Sequence, residues 1–385
     1  MFESLRSNRK PKEESPFDPE RRKFLKGTVA TIMAGALGSL STKAWAQETT
    51  EPETLPSVEE RESLIDALVK SYESPETKRI LESGTDAEIV ALLKKWPEAM
   101  ARADTIFYAG TKYDPRLPLG ENGSPSFQIQ ANSLEDVMGG ASETKLNNPD
   151  TDQIPYGVGS ANAFTIVSGD DTLVLTNDHV VSAMNVPTVP LQLPEEFDVA
   201  VARIPLATRG LSNPLHLVEQ ADLTGSLVFN YVVKNDDVSP WGARVRAGVA
   251  LKVTPRIVEF MRTHAPGGST GQTVGADAEQ SRLQKSRMLA SYMVVSTLVE
   301  EAPLPHWDIQ AGEFMNQYVS FAQGSSGSAW VQPLGGQARS LAGIHWGGSI
   351  LEHGIFGTES IGVSFFHGPD VLRKVIDIYR ARTRE

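Results

Sequence analysis

The chain has 385 residues, 40 % of them hydrophobic and 22 % charged, with a formal net charge of −12 and no cysteine. Those values suit a globular protein long enough for two domains, or for one large domain with an appendage. The missing thiols exclude a cysteine nucleophile and cysteine-based metal sites, and the acidic balance argues against nucleic acid or an anionic membrane as partner.

Residues 1–46 read as an export signal. Arg21-Arg22-Lys23-Phe24-Leu25-Lys26 is a twin-arginine pattern, with Glu20 where a hydroxyl residue is usual. An apolar stretch from Thr28 to Leu40 follows, and Ala44-Trp45-Ala46 is a small-x-small cleavage site with Lys43 just ahead of it. The expected location is periplasmic or secreted; the alternative is an anchored amphipathic helix. Absence of cysteine fits a route that carries proteins already folded in a reducing cytoplasm. Nine of the 36 basic and five of the 48 acidic residues lie in this segment, which leaves the remainder with 27 and 43, a net charge of −16. The body has no apolar run of about eighteen residues, so no membrane span is expected in the mature chain.

Residues 47–108 follow as a polar leader and three helices. Ser57 and Glu60 form a capping box ahead of Leu64, Ile65, Leu68, Val69 and Tyr72, which share a helical face. Ser74-Pro75 opens a second helix that stops at Gly84, and Thr85 with Glu88 repeats the capping box. This unit is a candidate pro-segment, docking module or brace. Residues 109–153 are rich in Gly, Pro, Asn and Asp and read as an irregular linker.

From 154 to 385 the texture is that of short strands and polar turns, which predicts a mainly β domain. Strands are expected at 163–167, 172–176, 197–204, 226–233, 244–253, 316–322, 329–332, 341–346 and 361–366. Residues 255–264 and 278–301 read as helices joined by a Gly-rich loop, a helical insertion at 255–301. The loop segment 267–273 lacks the lysine of a phosphate loop. Pro369, Val371, Leu372, Val375, Ile376 and Tyr379 mark an amphipathic closing helix.

Three residues in this domain carry chemistry. His179, in Thr176-Asn177-Asp178-His179-Val180-Val181, stands where a strand gives way to a turn, and histidine is suited to act as a base near neutral pH. Asp198 heads the apolar run Val199-Ala200-Val201, where burial is costly unless an imidazole N–H pairs with it. Ser326 lies in Gly324-Ser325-Ser326-Gly327-Ser328. There Gly324 would let its own N–H and that of Ser326 converge on an oxyanion, and Gly327 would let a substrate backbone approach. Each residue has a plainer reading: a strand-end histidine, a capping aspartate, a polar turn.

The order His, Asp, Ser resembles that of the chymotrypsin-like double β-barrel serine proteases. These three motifs with Gly343-Ile344-His345-Trp346-Gly347-Gly348 are similar to the bacterial trypsin-like branch, the last two most of all to the glutamyl endopeptidases. The resemblance covers residues 154–380. It implies a serine endopeptidase working through an acyl-enzyme on protein or peptide substrates, with His179 as base, Asp198 as its orienting carboxylate and Ser326 as nucleophile. It implies an oxyanion hole at Gly324 and Ser326, and a pocket at His345, Trp346, Gly347, Ser320 and Phe321. There His345 would bind an acidic side chain before the cut. Phe321 stands where the family has a hydroxyl residue, which Ser320 could replace in a shifted register. No metal or organic cofactor is expected, the seven histidines being scattered, and a monomer is favoured.

Only 19 residues lead from His179 to Asp198 where about thirty are usual, so a trimmed first barrel is expected, with Asp222 and Asp237 as alternative acids. Three rivals are weighed. An α/β-hydrolase needs its acid and histidine after the serine, and the 59 residues beyond Ser326 are too few. A Deg-type protease would carry peptide-binding domains beyond the barrel. An inactive barrel serving as a binding or scaffolding module is the remaining alternative.

Overall fold

The computed structural model describes residues 56–103, 110–114, 125–130, 160–184, 186–203, 214–233, 244–264, 278–298, 306–308, 313–315, 325–334, 337–351 and 361–383. The export signal, the Gly-rich loop at 267–275, the strand expected at 316–322, and Asp237, Ser320, Phe321 and Gly324 lie outside them. No helix among the described residues is long and apolar enough to cross a membrane.

The chain enters through helices α1 (Val58–Tyr72), α2 (Pro75–Ser83) and α3 (Asp86–Ala103). Both expected capping boxes form: Ser57 and Glu60 exchange side-chain to backbone hydrogen bonds, and so do Thr85 and Glu88. Gly84 caps the second helix. Their apolar faces do not pack only on one another. Ile65, Leu81, Ile89, Leu93 and Trp96 join the same core as Ala247 and Val249 of the β domain, and the Trp96 indole N–H donates to the carbonyl of Ala247 at 2.9 Å.

Strands β1 (Ser126–Gln130), β2 (Ser160–Ser168), β3 (Asp171–Thr176) and β4 (Ala200–Ala202) form one antiparallel sheet in that order. Two expectations are corrected here. β1 falls within the stretch read as irregular linker; five residues are too few to show a periodicity amid Gly, Pro and Asn. The strand expected at 197–204 shrinks to Ala200–Ala202, and Asp198 precedes it in irregular backbone. A short helix α4 (Asp178–Met184) carries His179 where a turn was expected.

The larger sheet holds β5 (His216–Leu217), β6 (Leu227–Val232), β7 (Arg244–Val249), β8 (Leu251–Lys252), β9 (Ser291–Val294), β10 (Ser296–Leu298), β13 (Ala329–Leu334), β14 (Gln337–Leu351) and β15 (Ile361–His367). A separate two-stranded ribbon, β11 (His306–Asp308) with β12 (Glu313–Met315), precedes β13. The registers show that the larger sheet closes. Ser296 faces Gly248 in the β10–β7 pair, and Leu251 faces Met293 in the β8–β9 pair. These belong to a single unslipped pairing of 244–252 with 291–298, each strand interrupted by one residue. The neighbours then run β6, β7/β8, β9/β10, β15, β14, β13 and back to β6, a closed antiparallel ring of six strands. Closure removes exposed sheet edges and surrounds a side-chain core. The four-stranded sheet shows no such closure among the described residues. The mainly β architecture with helices at both ends is therefore present, with one barrel evident rather than two.

The insertion between β8 and β9 holds α5 (Pro255–His264) and α6 (Ala278–Leu289). Its second helix was expected to run to 301, but it stops at Leu289 and the chain continues as β9. The apolar run Tyr292-Met293-Val294-Val295 suits a buried helix and a buried strand equally, so periodicity could not separate them. Closing helix α7 (Pro369–Thr383) buries Val371, Leu372, Val375 and Ile376, as its spacing predicted.

Candidate active site

The three chemistry-bearing residues come from different elements. His179 is on the first turn of α4, reached directly from β3; Asp198 comes from the coil before β4; Ser326 lies in the turn that opens β13. His179 Nδ1 lies 2.6 Å from Asp198 Oδ2, and the His179 backbone N–H donates to Asp198 Oδ1 at 3.1 Å. Asp198 is 1 % exposed, so this double contact answers the cost of burying its charge. Burial by itself raises the Asp198 carboxyl, but the His179 ring N–H and charge, the Arg287 cation and the His179 backbone N–H outweigh it and hold the group below its usual range. An ionised carboxylate can only accept, so His179 Nδ1 carries the proton and its Nε2 is left as the basic nitrogen. Asp222, an alternative acid, is engaged instead with Thr224 and the Tyr292 hydroxyl.

The Ser326 turn is seated against the end of β3. The Asn162 N–H donates to the Ser326 carbonyl at 2.8 Å, and the Thr176 hydroxyl donates to the Asn162 carbonyl at 2.8 Å. Gly327 has φ +80°, and a Cβ there would stand 2.0 Å from the Asn162 carbonyl oxygen and 2.6 Å from Thr176 Oγ1. This corrects the role expected for Gly327: the space its missing side chain leaves is filled by protein, not held open for substrate. Thr176 is three residues ahead of His179, so the contact brings serine and histidine elements together. No hydrogen bond joins the Ser326 hydroxyl to His179 in this arrangement.

Within the turn the Gly327 N–H donates to the His345 carbonyl at 2.9 Å and the Ser328 N–H to the Ser325 carbonyl at 3.0 Å. Those two donors are committed, whereas the Ser326 N–H makes no hydrogen bond among the described residues. Ser325 is buried while Ser326 is partly exposed, so the turn presents the second serine.

His345 lies directly behind the turn. Its backbone N–H donates to the Ser328 carbonyl at 2.9 Å, and its Nε2 is 3.3 Å from Ser325 Oγ. The ring is 2 % exposed, and its Nδ1 is buried with no hydrogen-bond partner. Burial, then the Arg246 and His179 charges, push the imidazole well below its ordinary value, so it is neutral near pH 7. Gly347 faces open space where a Cβ would stand. Trp346 departs from the expected pocket. Its indole turns the other way, donating to Ser291 Oγ at 2.9 Å and stacking on Phe365 and His367, at a register shift between β14 and β15.

Sequence reasoning missed two groups beside Asp198. His367, at the end of β15, accepts the Asp198 backbone N–H on Nε2 at 3.3 Å. That fixes the tautomer, so Nδ1–H points to Ser291 Oγ at 3.3 Å. Burial pulls this histidine down to about 4 and keeps it neutral. Arg287, on α6, places Nη1 3.8 Å from Asp198 Oδ2. Neither carries a local signature; each arrives through long-range packing.

No family model matches the chain, and no curated protein matches it. Among solved structures it is similar to Deg5, at 13 % identity over 57 % of this chain and 82 % of that one, with a TM-score of 0.28. It is also similar to AL20, a thermostable serine protease from an extremophilic microorganism, at 11 % identity over 58 % of this chain and 91 % of that one, with a TM-score of 0.29.

Proposed function

We propose that the chain is an exported serine endopeptidase that cuts proteins or peptides through an acyl-enzyme on Ser326. The observation that carries this reading is the His179–Asp198 couple. A buried carboxylate bound to both N–H groups of one histidine leaves His179 Nε2 free to act as a base beside the Ser326 turn. In the mechanism Ser326 Oγ attacks the scissile carbonyl carbon as its proton passes to His179 Nε2. The carbonyl oxygen takes up negative charge and receives the Ser326 N–H, with Gly324 as the second donor implied by the motif. Collapse breaks the C–N bond, and His179 gives its proton to the leaving amine. Water then repeats the sequence on the ester, losing its proton to His179 and releasing the acid and Ser326.

For specificity, the reading places the side chain of an acidic residue against His345. The buried, unpartnered Nδ1 and the neutral ring favour recognition by a hydrogen bond rather than by charge. The finer family assignment, with a trimmed first barrel and glutamyl preference, belongs to this reading, as does export by the twin-arginine route. Mapping cuts in a mixed peptide library with the wild-type chain and Ser326→Ala tests it. Cleavage lost in the variant supports the protease, and cuts clustering after Glu support the role of His345. No cleavage and no labelling of Ser326 by a fluorophosphonate would favour the inactive barrel.

A further inference from the structure

The shortened His179–Asp198 segment leaves the carboxylate without a strand beneath it, because Asp198 precedes the three-residue β4. On the first sheet's side Asn177 Nδ2 donates to the Asp198 carbonyl at 2.7 Å, and His179 holds the carboxylate. Two further groups come from the other sheet and its insertion: Arg287 at 3.8 Å from Oδ2, and His367 on the backbone N–H. The two are joined. Ser291 Oγ donates to the Arg287 carbonyl at 2.6 Å and accepts from Trp346, and it faces His367 Nδ1. The end of α6 therefore touches Asp198 by a charge and, through Ser291 and His367, by a hydrogen-bonded relay.

We propose that Arg287 is a positioning residue for the catalytic couple, and that the α5–α6 insertion adds a second hold on Asp198 from the side of the larger sheet. This rests on the protease reading for its catalytic meaning, though not for its geometry. The charged and titratable groups that act on the couple from the elements packed against it are His345 behind the serine turn, His367 on β15 and Arg287 on α6. Asp178 neighbours His179 in sequence, and the Lys374 ammonium of α7 lies 5.6 Å from the Phe197 ring centroid. Burial keeps His345 and His367 neutral. Arg287 is thus the cation that directly faces the carboxylate among the described residues. A cation there holds Asp198 ionised while disfavouring a second positive charge on the couple, so its loss favours the protonated couple.

The test uses the full-length chain with Arg287→Gln and Arg287→Lys. The first readout is the rate at which a fluorophosphonate labels Ser326 as a function of pH. The second is the far-downfield proton resonance of the His179 Nδ1–H, which needs no activity. Arg287→Gln should slow labelling near neutrality about tenfold, move the acid limb up by about half a pH unit or more, and displace the resonance. Arg287→Lys should restore the limb in part, because it keeps the charge without the fork. A uniform loss of rate with limb and resonance unmoved would overturn the inference and leave the protease reading standing. A displaced resonance in a chain that no fluorophosphonate labels would uphold Arg287 and remove the protease reading.

Discussion

Asp198 accepts from His179 at two points, the ring Nδ1–H on Oδ2 at 2.6 Å and the backbone N–H on Oδ1 at 3.1 Å. One contact would allow the carboxylate to pivot, whereas two fix its plane and so the direction in which His179 Nε2 faces. The pair is linked to the rest of the molecule from behind, through the Asp198 backbone N–H to His367. From this arrangement and the packing around it, four outcomes are expected.

Asp198→Asn should lower kcat/KM by about 10⁴-fold, because an amide stabilises the wrong imidazole tautomer. The carboxyl is held below its unfolded value, so its contribution to stability is present above about pH 4 and is lost as pH falls through the folded value. The stabilisation that the Asp198 carboxylate gives wild type over Asp198→Asn should be lost as pH falls below about pH 4. Thermal unfolding across that fall in pH checks both sign and window.

Gly327→Ala should be costly and Gly347→Ala nearly silent for stability. The first puts a methyl 2.0 Å from the Asn162 carbonyl at φ +80°, while the second meets open space. Strain of about 1–3 kcal/mol is expected for Gly327→Ala, with loss of Ser326 labelling as the turn shifts. Denaturant unfolding of both variants, with fluorophosphonate labelling, separates them.

His345 should confer a preference for Glu over Gln that changes little between pH 6 and 8, because burial keeps the ring neutral throughout. Kinetics on a matched pair of peptides would show it. A preference that strengthens steeply as pH falls would mean that the ring binds as a cation. His345→Phe should remove the preference while leaving Ser326 reactive.

Trp96→Ala should destabilise the chain by about 3–5 kcal/mol, since the indole is 1 % exposed and donates to Ala247 on the barrel. A chain beginning at Gly110 should lose cooperative unfolding rather than gain activity, because α1 to α3 share the barrel's core. Recovery of a stable, more active enzyme on such trimming would restore the pro-segment reading.

Much of the chain was legible before its fold was seen. Ser57 with Glu60, and Thr85 with Glu88, marked helix starts because capping is settled within four residues. The spacing of Val371, Leu372, Val375 and Ile376 marked the closing helix for the same reason. The β9 segment was misread because an uninterrupted apolar run suits a buried helix and a buried strand alike. Its pairing with β8 and β15 decides the matter, and those partners lie about 40 and 70 residues away in sequence.

What the sequence by itself determined was the local chemistry: helix caps, turns, and the choice of a histidine, an aspartate and a serine in that order. Only the tertiary structure decided that Asp198 meets His179 despite the short spacing, that 244–252 and 291–298 close a ring, and that Arg287 stands by the carboxylate. Local propensities depend on neighbours within one turn of chain. Burial, pairing and charge contacts depend on distance in space, which the order of residues alone does not specify.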